Sequence, residues 1–219
     1  MQLMKDKISI YYWSPFISHV ATVKAVLNSA SAFNKYSKKK YETSIINVAG
    51  EWDQYQHVLR KNNINLIQLT KSEILNNSNF TGYLKSRLIY VYIFIIAFIP
   101  LLKILKKNPP FFFVVHLITP IPLIINYLFS IKTKTILRIS GLPKFNFIRR
   151  FFWKLVFKKV CHITCPTNLT MITLQKMNFV KQEKISVLYD PIISPKEVVT
   201  KKKEKIEDIN LSTNYYIAI

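Results

Sequence analysis

Short apolar runs that stop at turn residues, each followed by a stretch with helical spacing, set the tightest limit on what this chain can fold into. The run ISIYYW at 8–13 stops at Ser14-Pro15, and VATVKAVLNSASAF behind it has the spacing of a helix. ETSIINVAG closes on Gly50, 54–61 reads as a brief helix, and INLIQL at 64–69 as a third strand. PPFFFVVH, TILRIS, CHITC and ISVLY repeat the pattern, with helices expected over 121–129, 145–160 and 169–180. Strands separated by helical crossovers predict an α/β fold, a Rossmann-like parallel sheet with helices on both faces.

The middle of the chain strains that reading. Residues 88–102 are fifteen uncharged residues, and 108–131 contain no Asp, Glu, Lys or Arg. A membrane-spanning helix needs roughly 20 apolar residues. The first run falls short, and the second carries Pro109, Pro110, Pro120 and Pro122. PPFFFVVH therefore reads as a buried central strand. Residues 88–107 read as an apolar helix with a basic end, packed in the fold or dipped into a bilayer face, with true spanning as the alternative.

The 32 basic residues against 11 acidic ones give a net charge of +21, which draws the surface toward anionic partners. The basic clusters are scattered: 38–40, Lys106/Lys107, Arg149/Arg150, Lys158/Lys159 and 201–203. No zinc-finger, RNP or basic-zipper spacing goes with them, so an anionic membrane surface is expected and a nucleic acid is not. Cys161 and Cys165 are too few for a disulfide framework and point to a reducing compartment. CHITC lacks the four ligands of a closed metal site, so both cysteines are expected in buried strand packing and no metal is expected. The apolar run at 8–13 is too short for a signal peptide.

Ligands of an open parallel sheet gather at the carboxyl ends of its strands. Ser14, Pro15 and His19 follow the first strand, and His116 and Thr119 follow FFFVV. Arg138, Ser140 and Gly141 stand at or after TIL, Thr167 and Asn168 after HITC, and Asp190 after SVLY. Any one of these is ordinary turn chemistry; together they mark one edge as the candidate site. His116 is either a satisfied core histidine or a contact to a ligand at this edge. With only Gly50, Gly82 and Gly141 in the chain, a glycine cradle for a nucleotide is not expected.

The order ISIYYWSPFISH, FFFVVHLIT, LRISGLPK, HITCPTN and VLYDPII resembles glycosyltransferase family 4, enzymes of the two-domain GT-B fold. The resemblance covers about residues 7–219. It implies an acceptor domain over 7–195, a linker over 196–213, and in NYYIAI at 214–219 the opening strand of a donor-binding domain that the sequence does not continue into. It also implies sugar transfer with retention of configuration, from a nucleotide-sugar donor to a saccharide or polyprenyl-linked acceptor of the cell envelope, with no cofactor and no required metal. His116 takes the catalytic place in it; Ser14, His19, Thr119, Arg138, Ser140, Gly141, Thr167 and Asp190 take the acceptor side. The chain departs from the family in its first loop, SPFISH where glycines are usual, and in Tyr189-Asp190-Pro191 where a Pro-Asn-Gly-like turn is usual. The family's paired glutamates have no counterpart before Ile219, so this stretch by itself is expected to be inactive. The enzyme is expected in the cytoplasm, peripheral at the inner face of the cell membrane.

Two other classes stay open at this level. One is a non-catalytic basic protein anchored through the apolar middle, and the other is a nucleic-acid binder favoured only by charge.

Overall fold

A computed structural model describes residues 7–17, 21–37, 40–76, 82–116, 119–141, 146–191 and 195–203. Seven strands form one all-parallel sheet in the order β3-β2-β1-β4-β5-β6-β7. They are β1 Ile8–Trp13, β2 Tyr41–Asn47, β3 Asn65–Gln68, β4 Phe112–His116, β5 Lys134–Arg138, β6 His162–Cys165 and β7 Ile185–Val187. The crossover helices are α1 Ala21–Tyr36, α2 Gln56–Lys61, α3 Tyr83–Lys107, α4 Ile121–Phe129, α5 Phe147–Phe157 and α6 Asn168–Met177. The short α7, Pro195–Lys201, follows β7, so the segment expected as a linker begins in a helix.

Alternation along the strands sorts the side chains into two cores. Trp13, Ile46, Phe113, Val115, Leu137 and Ile163 face one way and meet the buried sides of α3, α4, α5 and α6. Ile10, Tyr12 and Ile45 face the other way and meet α1 and α2. Crossovers that step outward from the middle of the sheet in both directions must use opposite faces, because each is right-handed. Helices therefore cover both faces.

Two local readings change. The helix expected over 88–107 starts earlier, at Tyr83, and runs 25 residues with Pro100 inside it. Lys85 and Arg87 are both exposed, so the helix can begin ahead of the uncharged run without burying a charge. Of the two cysteines expected in buried strand packing, only Cys165 is buried; Cys161 lies just before β6 and is exposed.

Candidate functional site

The strand order reverses between β1 and β4, whose crossovers leave in opposite directions and open a crevice at the carboxyl edge. Trp13 and Val115 are paired across that junction, so Ser14 and His116 stand one residue beyond them on adjacent strands. Both are buried. The Ser14 hydroxyl oxygen and His116 Nδ1 have no hydrogen-bond partner among the described residues. Buried polar atoms are nearly always paired, so two orphans side by side at a crevice are unusual. Trp13 Nε1 donates to Thr119 Oγ1 at 3.1 Å and ties the residues just before α4 to β1.

His116 is opposite Arg138 in the β4–β5 register, and Arg138 is opposite Thr164 in β5–β6. All three point to the α1 face, on the same side as Tyr12. Arg138 Nε donates to Asp190 Oδ1 at 2.8 Å, and Nη2 to the Leu188 carbonyl at 2.9 Å. Nη1 reaches Thr164 Oγ1 at 3.5 Å. The guanidinium thus clamps the segment after β7 onto the sheet, and Asn28 of α1 holds the same segment by donating to the Pro191 carbonyl.

Burial, reinforced by the Arg138 cation, pushes the His116 imidazole down to about 3. At neutral pH it is uncharged and offers one donor and one acceptor. Burial pushes the Tyr12 phenol up to about 12, against its hydrogen bond with Ser29 and the field of Arg138, which both lower it. The edge of β1, β4 and β5 thus carries neutral hydrogen-bonding groups beside one cation that Asp190 compensates. Such a surface suits the hydroxyls of a sugar better than a bare phosphate.

The other expected residues are more dispersed. Ser140 and Gly141 are exposed past the end of β5, and a Cβ on Gly141 would meet nothing within 4 Å, so a side chain would fit there. Thr167 is the N-cap of α6, its hydroxyl accepting from the Thr170 N–H, which gives it a structural task at this strand end. His19 lies outside the described residues.

A second cluster, at the ends of β2 and β3, was not anticipated. The buried Glu51 carboxylate accepts from Val48 N–H at 2.9 Å and Ala49 N–H at 2.8 Å. Burial outweighs these bonds and pushes its carboxyl up to about 7. Gly50 makes the fold-back possible: its φ is +92°, and an added Cβ would stand 3.0 Å from Asn76 Cβ. Asn47 donates to Asp53 at 2.8 Å and Gln68 at 2.7 Å, and accepts from the Trp52 N–H. The signal was an acid directly after the glycine that ends an apolar strand, in a chain with only 11 acids.

No protein-family model matches the chain, and neither does any curated protein. Among solved structures it is similar to a glycosyltransferase from Rickettsia africae (TM-score 0.52, 15% identity), covering 90% of this chain and 49% of that one. It is similar to UDP-GlcNAc 2-epimerase from Neisseria meningitidis bound to UDP-GlcNAc (0.54, 13%), covering 89% and 48%. It is also similar to UGT73P12 of Glycyrrhiza uralensis in complex with glycyrrhetinic acid 3-O-monoglucuronide (0.54, 12%), covering 85% and 49%. The chain spans about half the length of each. At these identities the likeness establishes the fold: a Rossmann-like half of the GT-B kind.

Proposed function

We propose that this chain is the acceptor-side domain of a glycosyltransferase of the family 4 type. It presents a saccharide or polyprenyl-linked acceptor to a nucleotide sugar held mostly by a second domain. The observation that carries the reading is the pair of buried polar atoms without a partner among the described residues, Ser14 Oγ and His116 Nδ1, at the switch point of a sheet whose structural neighbours include glycosyltransferases. Two neutral hydrogen-bonding groups at the carboxyl edge orient hydroxyls without attracting free anions. His116 contacts the acceptor or transferred sugar as a neutral imidazole, and the Arg138–Asp190 clamp fixes the wall beside it. Stabilisation of the departing nucleotide diphosphate falls to cations outside this domain. The net charge of +21 suits work on the cytoplasmic side, at the anionic inner face of the cell membrane.

The test is binding by the purified chain, followed by ligand-observed NMR, with envelope oligosaccharides and with UDP-, GDP- and dTDP-sugars. An oligosaccharide that binds the wild type and is lost in His116→Ala and in Ser14→Val is the expected result. Tight binding of a nucleotide sugar with none of any oligosaccharide, or sugar transfer by this chain alone, contradicts the assignment. A non-catalytic membrane-associated protein is the second reading, favoured by the exposed apolar side chains of α3. It predicts no saccharide binding at all.

A further inference from the structure

Helix α3 has two apolar faces, and the fold uses one of them. Ile89, Ile93, Ala97, Leu101 and Leu105 recur every fourth residue and lie in the core against the sheet. Leu84, Leu88, Val91, Ile95 and Ile99 recur at helical spacing on the outward side and are exposed, Ile95 at 68% where Ile93 is at 0%. At about 1.5 Å per residue the outward stripe runs about 22 Å. It continues onto α4, where Phe129 packs on Phe98 with the Lys106 ammonium 5.0 Å over its ring. A contiguous exposed apolar surface of this kind marks an interaction site.

Charge and geometry together select the occupant. Lys85 and Arg87 stand at one end of the stripe, and Lys103, Lys106 and Lys107 at the other, with no acid anywhere in α3. The segment Leu84–Lys107 has the length and mean hydropathy, 2.5, of a membrane helix. Its inner face, however, is fixed along the sheet, so it can lie in the plane of a bilayer surface and cannot cross. An apolar stripe with cations at both ends matches an acyl-chain boundary flanked by phosphate headgroups.

We propose that α3 seats the domain on an anionic bilayer, with Leu84, Leu88, Val91, Ile95 and Ile99 sunk below the headgroups and the end cations on lipid phosphates. The proposal rests on these exposed side chains and holds whether or not the chain takes part in sugar transfer. Helices α3 and α5 both begin at the carboxyl edge of the sheet, because crossovers run antiparallel to the strands. The start of α5 adds Phe147, Ile148 and Phe151, all exposed, beside Arg149 and Arg150. The candidate site thus opens on the same edge as the exposed apolar starts of α3 and α5.

Co-sedimentation of the whole chain with vesicles tests this. Binding to mixed phosphatidylglycerol and phosphatidylcholine vesicles, weakened by salt and poor on phosphatidylcholine alone, is expected. Val91→Asp/Ile95→Asp should lower the binding at least about tenfold, since charge placed in the apolar layer is costly, while the circular dichroism spectrum stays that of the wild type. An environment-sensitive dye on Ile95→Cys, in a Cys161→Ser background, should shift to the blue with anionic vesicles. The same dye on Lys24→Cys, exposed on α1 across the sheet, should not. The dye experiment decides the matter even if the double variant fails to fold. Absence of anionic-vesicle binding overturns the proposal, as does an unshifted Ile95 dye on bound protein. So does a lipid-free dimer that Val91→Asp/Ile95→Asp dissociates, which would make the stripe a contact between copies.

Discussion

Replacing Asp190 by Ala leaves the Arg138 guanidinium buried without its counter-ion, and the structure allows the cost to be worked out. The two side chains are 7% and 23% exposed, so solvent screens the pair only partly. At the 2.8 Å of the Nε–Oδ1 bond, an effective dielectric of about 20 gives a gross attraction near 6 kcal/mol. Desolvation offsets much of it, and truncating one partner of a buried pair costs about 3–5 kcal/mol. Arg138 keeps the Leu188 carbonyl and Asp190 touches water, which place the expected loss at or just below the lower end of that range, about 2–3 kcal/mol. Arg138→Met alone should cost a similar amount. Arg138→Met with Asp190→Ala should cost less than the sum, by a coupling of about 1.5–2.5 kcal/mol. Urea unfolding of the four proteins, followed by far-UV circular dichroism, measures the cycle. Additive losses, with coupling under about 0.5 kcal/mol, would refute the idea that this pair clamps the segment after β7 to the sheet.

The two faces of α3 should respond differently. Leu101→Ala should destabilise by about 2–5 kcal/mol through the cavity it leaves, whereas Ile95→Ala should stay within about 0.5 kcal/mol, both read from urea midpoints. Glu51 titrates near 4.5 when unfolded and about 7 when folded, so the folded chain holds the extra proton between those values. Its contribution is full below pH 4.5 and lost as pH rises to about 7, by at most about 3 kcal/mol, and Glu51→Gln should flatten that slope in a stability–pH series. Thr167→Ala should cost about 1 kcal/mol from the lost N-cap of α6 and leave saccharide binding unchanged; weakened binding with unaltered stability would instead place Thr167 in the acceptor site.

The elements themselves were legible in the sequence. Runs such as FFFVV and TILR are short and rich in β-branched or aromatic residues, which favours inner strands over buried helices, and α4 falls on 121–129 as its apolar spacing predicts. The placement of Ser14, His116, Arg138 and Asp190 at strand ends followed from the same reading. Their relation did not, because Arg138 and Asp190 are 52 residues apart in sequence and meet only when β7 joins the sheet. Glu51 was missed for a related reason: its partners are backbone N–H groups, which carry no residue type to search for.

Local periodicity and turn chemistry therefore determined, from sequence alone, that the chain makes parallel strands with helical crossovers and roughly where most of them lie, since both are set by neighbours a few residues away; the start of α3 at Tyr83 and the helix α7 were not read from it. Strand order, the switch point between β1 and β4, the compensation of Arg138 and the division of α3 into a core face and an outward face were decided by tertiary packing. An apolar residue contributes the same pattern to a helix whether it meets a sheet or faces away from it, and only the position of the sheet distinguishes Ile93 from Ile95.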